Sequence, residues 1–221
     1  MKLFVLITMM LSLAPKASMA KENTALETAY DENSSAETLV IADDEILETQ
    51  LTATHEDLTR AKVVAVINKS STGSTSQVMR VYVDGTLTYE WFVSTGREHF
   101  EKSTSGRSYL TTTPIGYYRP TSVEENHYSK TWNANMPNAV FFIGGVAIHS
   151  SPHIDHLGKR ASGGCVRLAP ENAKTFYDLV NNIGSKEVPK IDRDGAVVLD
   201  ENCNPVMINT WDALIIVENH S

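Results

Sequence analysis

From Lys62 onward the chain runs in short β-branched and aromatic stretches cut by turn residues, a pattern that favours sheet over helix. Val63 to Ile67 is a continuous apolar run and reads as a buried strand. After a polar loop from Ser70 to Ser76, Val78 to Val83 and Thr86 to Val93 flank Asp84-Gly85. That dipeptide tolerates the two positive φ angles of a type I′ turn, so a hairpin is expected. Tyr89, Trp91 and Val93 alternate onto one face and belong to the core. Phe141 to Ile148 reads as a further buried strand interrupted at Gly144-Gly145, where a bulge or a close backbone approach is expected. Ala196 to Leu199, Val206 to Ile208 and Ala213 to Val217 read as three late strands. Pro170 to Ile183 is the clearest helix: Pro170 suits the first helical position, Gly184 follows the last, and Ala173, Phe176, Tyr177, Val180 and Ile183 recur at helical spacing. The expected fold class is mainly β, sandwich-like or barrel-like, with one principal α-helix.

The first 60 residues differ in character. Lys2 precedes an apolar run from Leu3 to Ala14, and Ser18-Met19-Ala20 places small residues where a leader peptidase cuts, so residues 1–20 read as a signal peptide. The run is too short for an ordinary membrane span, an uncleaved anchor being the alternative. The mature chain is then expected to start near Lys21 and to work in the periplasm or beyond the cytoplasm. Residues 21–60 hold eleven carboxylates against Lys21 and Arg60 and contain neither Gly nor Pro. They read as an acidic linker, partly helical around Ala42 to Arg60, where Ile46, Leu47, Leu51 and Leu58 give a weak apolar stripe. The formal charge of −8 combines −9 on this linker, +2 from Lys2 and Lys16, and −1 on residues 61–221. A near-neutral domain argues against nucleic acid as a partner. With 42% hydrophobic residues in a chain of 221, residues 61–221 suffice for one domain, expected to act as a monomer.

Chemistry concentrates between Gly144 and Leu168. His149 ends a predicted strand, and Cys165 follows sixteen positions later in a tight glycine turn. A thiol attacks a carbonyl as the thiolate, so it needs a neighbouring base, and His149 titrates close enough to neutrality to serve. Gly163 and Gly164 leave the backbone beside Cys165 open, so that a carbonyl could approach and the N–H groups of Gly164 and Cys165 could meet an oxyanion. Cys165 and Cys203 form the cysteine complement of what reads as an exported protein, where a disulfide is the default. Such a bridge would abolish the nucleophile. Cys203, in the turn-like Asp200 to Pro205, is expected to be structural or incidental. His153, Asp155 and His156 with Cys165 admit a zinc reading, but no H-E-x-x-H or paired-cysteine spacing supports it, and no metal is expected.

These residues also carry a family resemblance. Ile148-His149-Ser150, followed by Leu157-Gly158 and by Ala161-Ser162-Gly163-Gly164-Cys165-Val166-Arg167-Leu168, resembles the catalytic domain of L,D-transpeptidases. Residues 80–96, ending in Val93-Ser94-Thr95-Gly96, the turn Thr113-Pro114-Ile115-Gly116 and the helix from Pro170 are similar to further landmarks of that family, so the likeness runs from about Lys62 to Asn182. The resemblance implies that Cys165 takes the acyl group of a peptidoglycan tetrapeptide stem, releases D-alanine, and passes the acyl group to an amine of a second stem. It implies no cofactor. Water or a lipoprotein lysine are alternative acceptors, and a non-catalytic wall-binding module would follow from a bridged Cys165. Members commonly carry histidine, lysine or glutamine where this chain has Gly163, so any contribution there must come from backbone. The resemblance further implies that a backbone carbonyl of this turn orients the imidazole. Ser162 is expected to brace the turn, Arg167 to bind a substrate carboxylate, and Ser150, Ser162 and Gly163 to line the substrate site. The polar and aromatic stretch from Thr121 to Asn138, with His127, Tyr128 and Trp132, reads as a lid or as an edge decoration.

Overall fold

The computed structural model describes residues 53–221. The expected signal peptide and most of the acidic linker, with the greater part of its expected helix, lie outside the described residues, and the helix does not continue through residues 53–60. Of the linker's end, Asp57–Thr59 form a single 3-10 turn. Among the described residues no helix is long and apolar enough to cross a membrane.

Two sheets make the domain. The first contains β1 (Val63–Asn68), β2 (Val78–Val83), β3 (Thr86–Phe92), β6 (Gly116–Tyr118) and β13 (Ala213–Glu218), in the order β3-β2-β1-β13-β6. The second contains β7 (Ser122–Ser129), β8 (Ala134–Ile143), β9 (Val146–Ser150) and β10 (Val166–Leu168), in the order β10-β9-β8-β7. Two ribbons, β4 (Phe100–Lys102) with β5 (Ser108–Leu110) and β11 (Ser185–Pro189) with β12 (Met207–Trp211), and one helix, α1 (Pro170–Ile183), complete it.

The parallel pair β1 and β13 is buried along its whole length, because the first sheet is covered on both faces. On one face Val63, Ala65, Ile67 and Ile215 join Val140, Phe142, Ile148 and Leu168 of the second sheet and Ala173, Phe176 and Val180 of α1 in a single core. On the other, Val64, Val66, Leu214 and Ile216 pack with Tyr117. Both sheets are open, so the architecture is a sandwich of sheets with one helix.

The Asp84-Gly85 hairpin forms as its sequence predicts, with φ of 49° and 76° at the two turn residues. Helix α1 spans the predicted Pro170–Ile183 and stops at Gly184, where φ is 71°. Two expectations need correction, and one strand was not foreseen. Phe141 to Ile148 is two antiparallel strands, because Gly144-Gly145 is a hairpin turn and not an interruption. Ala196 to Leu199 forms only isolated bridges to Ile191 and Pro205. Asp192 and Asp200 each turn their carboxylate onto backbone N–H groups two and four residues ahead, which folds this segment into tight turns instead of a ladder. The ribbon partner of β12 is Ser185–Pro189, a polar and largely exposed strand that apolar periodicity does not reveal.

The 3-10 turn is fastened by Asp57, whose carboxylate accepts from Thr54 N–H (2.8 Å) and from the Tyr117 hydroxyl (2.7 Å). Burial pushes this carboxyl up, but the donors from Thr54, Tyr117 and Arg60 outweigh it and hold the group below its ordinary 3.8. Asp57→Ala leaves these donors without their acceptor and should lower stability by about 1–3 kcal/mol in urea unfolding. The wild-type advantage is present above the ordinary carboxylate range and is lost as pH falls through the depressed value.

Candidate active site

Strands β9 and β10 run parallel, with Ile148 opposite Val166 and Arg167 opposite His149. Because side chains alternate along a strand, Ile148, Val166 and Leu168 enter the main core while Ala147, His149, Cys165 and Arg167 share the other face. Ala147 packs there with Met136, Ala139 and Phe141, and Cys165 lies against that cluster. The sixteen-residue separation of His149 and Cys165 therefore closes through a parallel crossover that sets the two on adjacent strands, diagonally placed on one face.

His149 is buried, and its Nδ1 lies 2.7 Å from the Ser150 carbonyl oxygen. A carbonyl only accepts, so Nδ1 carries the hydrogen and Nε2 keeps its lone pair, the tautomer a general base requires. The orienting carbonyl is thus Ser150, adjacent to the histidine, rather than one from the turn at Gly163 as the sequence suggested. Burial pushes the imidazole pKa down to about 4, and the nearby Arg167 and His127 charges add to this against the Ser150 bond. Cys165 and Cys203 are both free thiols, so neither bridges the other. Cys165 is half-buried, and its Sγ lies 3.7 Å from the Gly145 oxygen. Burial pushes this thiol above its ordinary value, outweighing the Ala147 backbone bond and the Arg167 charge that favour the thiolate.

The turn before Cys165 is tightly braced. The Ser162 hydroxyl accepts from Gly164 N–H (3.0 Å) and donates to the Cys165 oxygen. Gly164 N–H, expected as an oxyanion donor, is spent inside the turn, which leaves the Cys165 N–H for that role. Gly164 has φ of 129°, and a Cβ there would stand 2.8 Å from the Thr112 oxygen. At Gly163 a Cβ would meet the Trp132 indole at 2.9 Å, so that ring fills the volume a side chain would need.

A small cleft of ≈ 80 Å³, open to solvent, reaches Cys165. Tyr109 and Leu110 of β5, Thr131 and Trp132 of the β7–β8 turn, and Gly163 are among the residues that line it. Tyr109 and Trp132 meet at 6.0 Å. Residues 121–138 are therefore strand β7, its turn and the start of β8, and the turn overhangs the thiol. Of the expected site residues, Gly163 and Cys165 line the cleft, whereas Ser150, Ser162 and His149 are buried behind it. Ser150 contributes its carbonyl to His149, and Ser162 its hydroxyl to the turn, so neither is placed for substrate contact as the sequence reading had it. Arg167 donates to the Ala161 oxygen at 3.2 Å and has no carboxylate partner among the described residues. His153 stacks on His156 at 5.5 Å, and among the described residues no three histidine, cysteine or carboxylate groups gather as a metal site.

Sequence reasoning missed what holds this turn. Ser94 and Arg167 exchange backbone hydrogen bonds at 3.0 and 2.9 Å, and the Thr95 oxygen accepts from Ala161 and Ser162. Thr95 is in turn held by the fully buried Gln77 amide. The Val93-Ser94-Thr95-Gly96 run was visible as a landmark, but its partner, some seventy residues away, was not.

A family model described as the L,D-transpeptidase catalytic domain (YkuD) matches residues 62–203, and the chain belongs to that family. Comparison with curated proteins gives no match. Among solved structures, an L,D-transpeptidase from Xylanimonas cellulosilytica is 20% identical, with 71% of this chain and 60% of that one covered and a TM-score of 0.49. An L,D-transpeptidase from Mycobacterium smegmatis is 20% identical (72% and 59% covered, TM-score 0.48). One from Stackebrandtia nassauensis is 16% identical (78% and 60% covered, TM-score 0.47). The chain thus spans about three fifths of the length of these matched structures.

The electrostatics set a pH signature. With the imidazole neutral above about pH 4 and the thiol held protonated through neutrality, the resting pair is uncharged. Alkylation of Cys165 by iodoacetamide, read by intact-mass spectrometry, should rise continuously into the alkaline range. A plateau between about pH 5 and pH 8, the mark of a thiolate–imidazolium pair, would contradict this.

Proposed function

We propose that this protein is an exported L,D-transpeptidase that cross-links peptidoglycan stems through a thioester on Cys165. The observation that supports it most is a free thiol at the foot of an open cleft, with an imidazole of base-competent tautomer one strand away on the same face, in a domain of this family. His149 Nε2 takes the thiol proton as sulfur attacks the carbonyl between the third stem residue and the terminal D-alanine. The tetrahedral oxyanion is met by the Cys165 N–H, D-alanine leaves as the amine with the proton returned from His149, and the thioester remains. An amine of a second stem attacks next, His149 accepts its proton, and the sulfur leaves with a 3→3 peptide bond formed. Arg167, a guanidinium without a carboxylate partner among the described residues, is suited to a stem carboxylate.

The test is mass spectrometry of a disaccharide-tetrapeptide incubated with residues 21–221, with Cys165→Ala beside it. Loss of D-alanine with a cross-linked dimer is expected for the wild type, and a drop of at least about 10³-fold for the variant, which lacks the nucleophile. Tripeptide without dimer would replace transfer by hydrolysis. No turnover with the thiol free would sink the proposal.

A further inference from the structure

Gly164 and Cys165 share one peptide unit, and in a trans peptide the C=O of the first residue and the N–H of the second point in opposite directions within one plane. Whatever fixes the Gly164 carbonyl therefore aims the Cys165 N–H. That carbonyl accepts a 2.6 Å hydrogen bond from the Thr113 hydroxyl. The same hydroxyl accepts from Gly96 N–H at 2.9 Å, so its donor and acceptor capacities are both used and its hydrogen is committed to Gly164. Thr113 is fully buried.

Thr113 itself is anchored more firmly than packing alone requires. Its carbonyl accepts from Lys69 Nζ at 3.0 Å, and its N–H reaches Glu98 Oε1 at 3.4 Å. Lys69 is buried and paired with Glu98 at 3.0 Å, and both also engage the Thr112 hydroxyl, at 3.2 and 2.8 Å. Thr112 is the residue whose carbonyl abuts Gly164, where a Cβ would stand 2.8 Å away. An ion pair between buried Lys69 and half-buried Glu98 thus holds a threonine whose hydroxyl holds one carbonyl. Donation into an amide carbonyl also polarises that amide and strengthens its N–H as a donor.

We propose that Thr113 is a positioning residue, which through the Gly164 carbonyl aims the Cys165 N–H and strengthens its hydrogen bond to the oxyanion of the reacting carbonyl. This rests on the acyl-transfer reading of the site, but not on the identity of the stem. Its action is selective: it bears on attack at a carbonyl, where an oxyanion forms, and not on attack by the same sulfur at a saturated carbon.

Two probes separate these cases. With p-nitrophenyl acetate, sulfur forms the S–C bond, p-nitrophenolate leaves with the C–O electron pair, and the thiol proton passes to His149; the burst of p-nitrophenolate reports acylation. With iodoacetamide, sulfur displaces iodide and no oxyanion arises. Thr113→Val, which keeps shape and loses the hydroxyl, should acylate about 10- to 100-fold more slowly, the scale of a weakened oxyanion donor. Its alkylation rate and pH profile should stay within about 2-fold of wild type, as no oxyanion is involved. Thr113→Ser, which restores the hydroxyl, should recover acylation to within about 3-fold. The proposal is overturned if both reactions fall together in Thr113→Val, if it acylates as wild type does, or if Thr113→Ser fails to rescue. A wild-type protein that alkylates but gives no burst overturns the acyl-transfer reading instead. A normal burst without transfer from a tetrapeptide overturns only the assignment of substrate.

Discussion

The grip of residues 94–97 on residues 161–167 is what the cleft depends on. Beyond β3 the chain continues as Ser94, which pairs with Arg167, so the edge of one sheet borrows a partner from the edge of the other. Gly96 bridges Ser162 in the same way, and Arg97 N–H closes onto the Ser162 oxygen. A Cβ at Gly96 would lie 2.3 Å from the Thr111 oxygen, so only glycine lets these strands approach that closely. The bonds in this grip are made by backbone, by the buried side chains of Gln77 and Thr113, and by the Arg97 guanidinium, which donates to the Ala161 oxygen at 2.7 Å. Buried polar groups left unpaired cost far more than paired ones gain. The turn is therefore held in one arrangement, and a thiol placed on it inherits that order.

Electrostatics then decide how the thiol must be activated. Moving the imidazole from its ordinary 6.5 to about 4 corresponds to roughly 3 kcal/mol against the charged ring. The buried thiol is likewise disfavoured as thiolate. A permanent ion pair would carry both penalties at rest, and the nearby Arg167 guanidinium stabilises the thiolate while opposing the imidazolium. On the proposed acyl-transfer reading, the arrangement favours moving the proton as the carbon–sulfur bond forms, when negative charge passes from sulfur to the carbonyl oxygen. A fixed N–H donor is then of most use, because it meets charge that exists only on the way to the tetrahedral intermediate.

How much of this the sequence shows depends on the range of the interaction. Local signals read through well: the positive φ at Asp84 and Gly85 and the span of α1 both follow from residues in place. Cys165 and His149 stand out as candidates in the sequence because the thiol, the imidazole and the glycines carry their chemistry in a single segment. What failed was the choice among backbone groups, which every residue carries, and the pairing of distant segments. Ser150 seemed a substrate contact because serine hydroxyls often are, yet only its carbonyl matters, and every residue has one. Gly164 N–H was counted as free because nothing in the sequence says that the Ser162 hydroxyl turns back on it. Thr113 lies 51 positions from Gly164, and neither composition nor periodicity encodes such a pairing.

Gly163 shows the same principle from the side of the lid. With no side chain at that position, the space beside the Cys165 turn is filled by Trp132, carried on the β7–β8 turn, so a flat apolar ring stands against the backbone there. The roof over the cleft is joined crosswise as well, since Thr104 of the β4–β5 turn donates from N–H and hydroxyl to the Thr131 oxygen. Tyr109 of β5 meets the same tryptophan. Two hairpins and the Cys165 turn thus converge on one indole, which makes the spacing of roof and floor a property of that contact. A larger residue at 163 and the present position of Trp132 exclude one another, because 2.9 Å is too short for a Cβ against a ring carbon. Glycine at this point is therefore better understood as half of a packing pair than as the loss of a catalytic side chain.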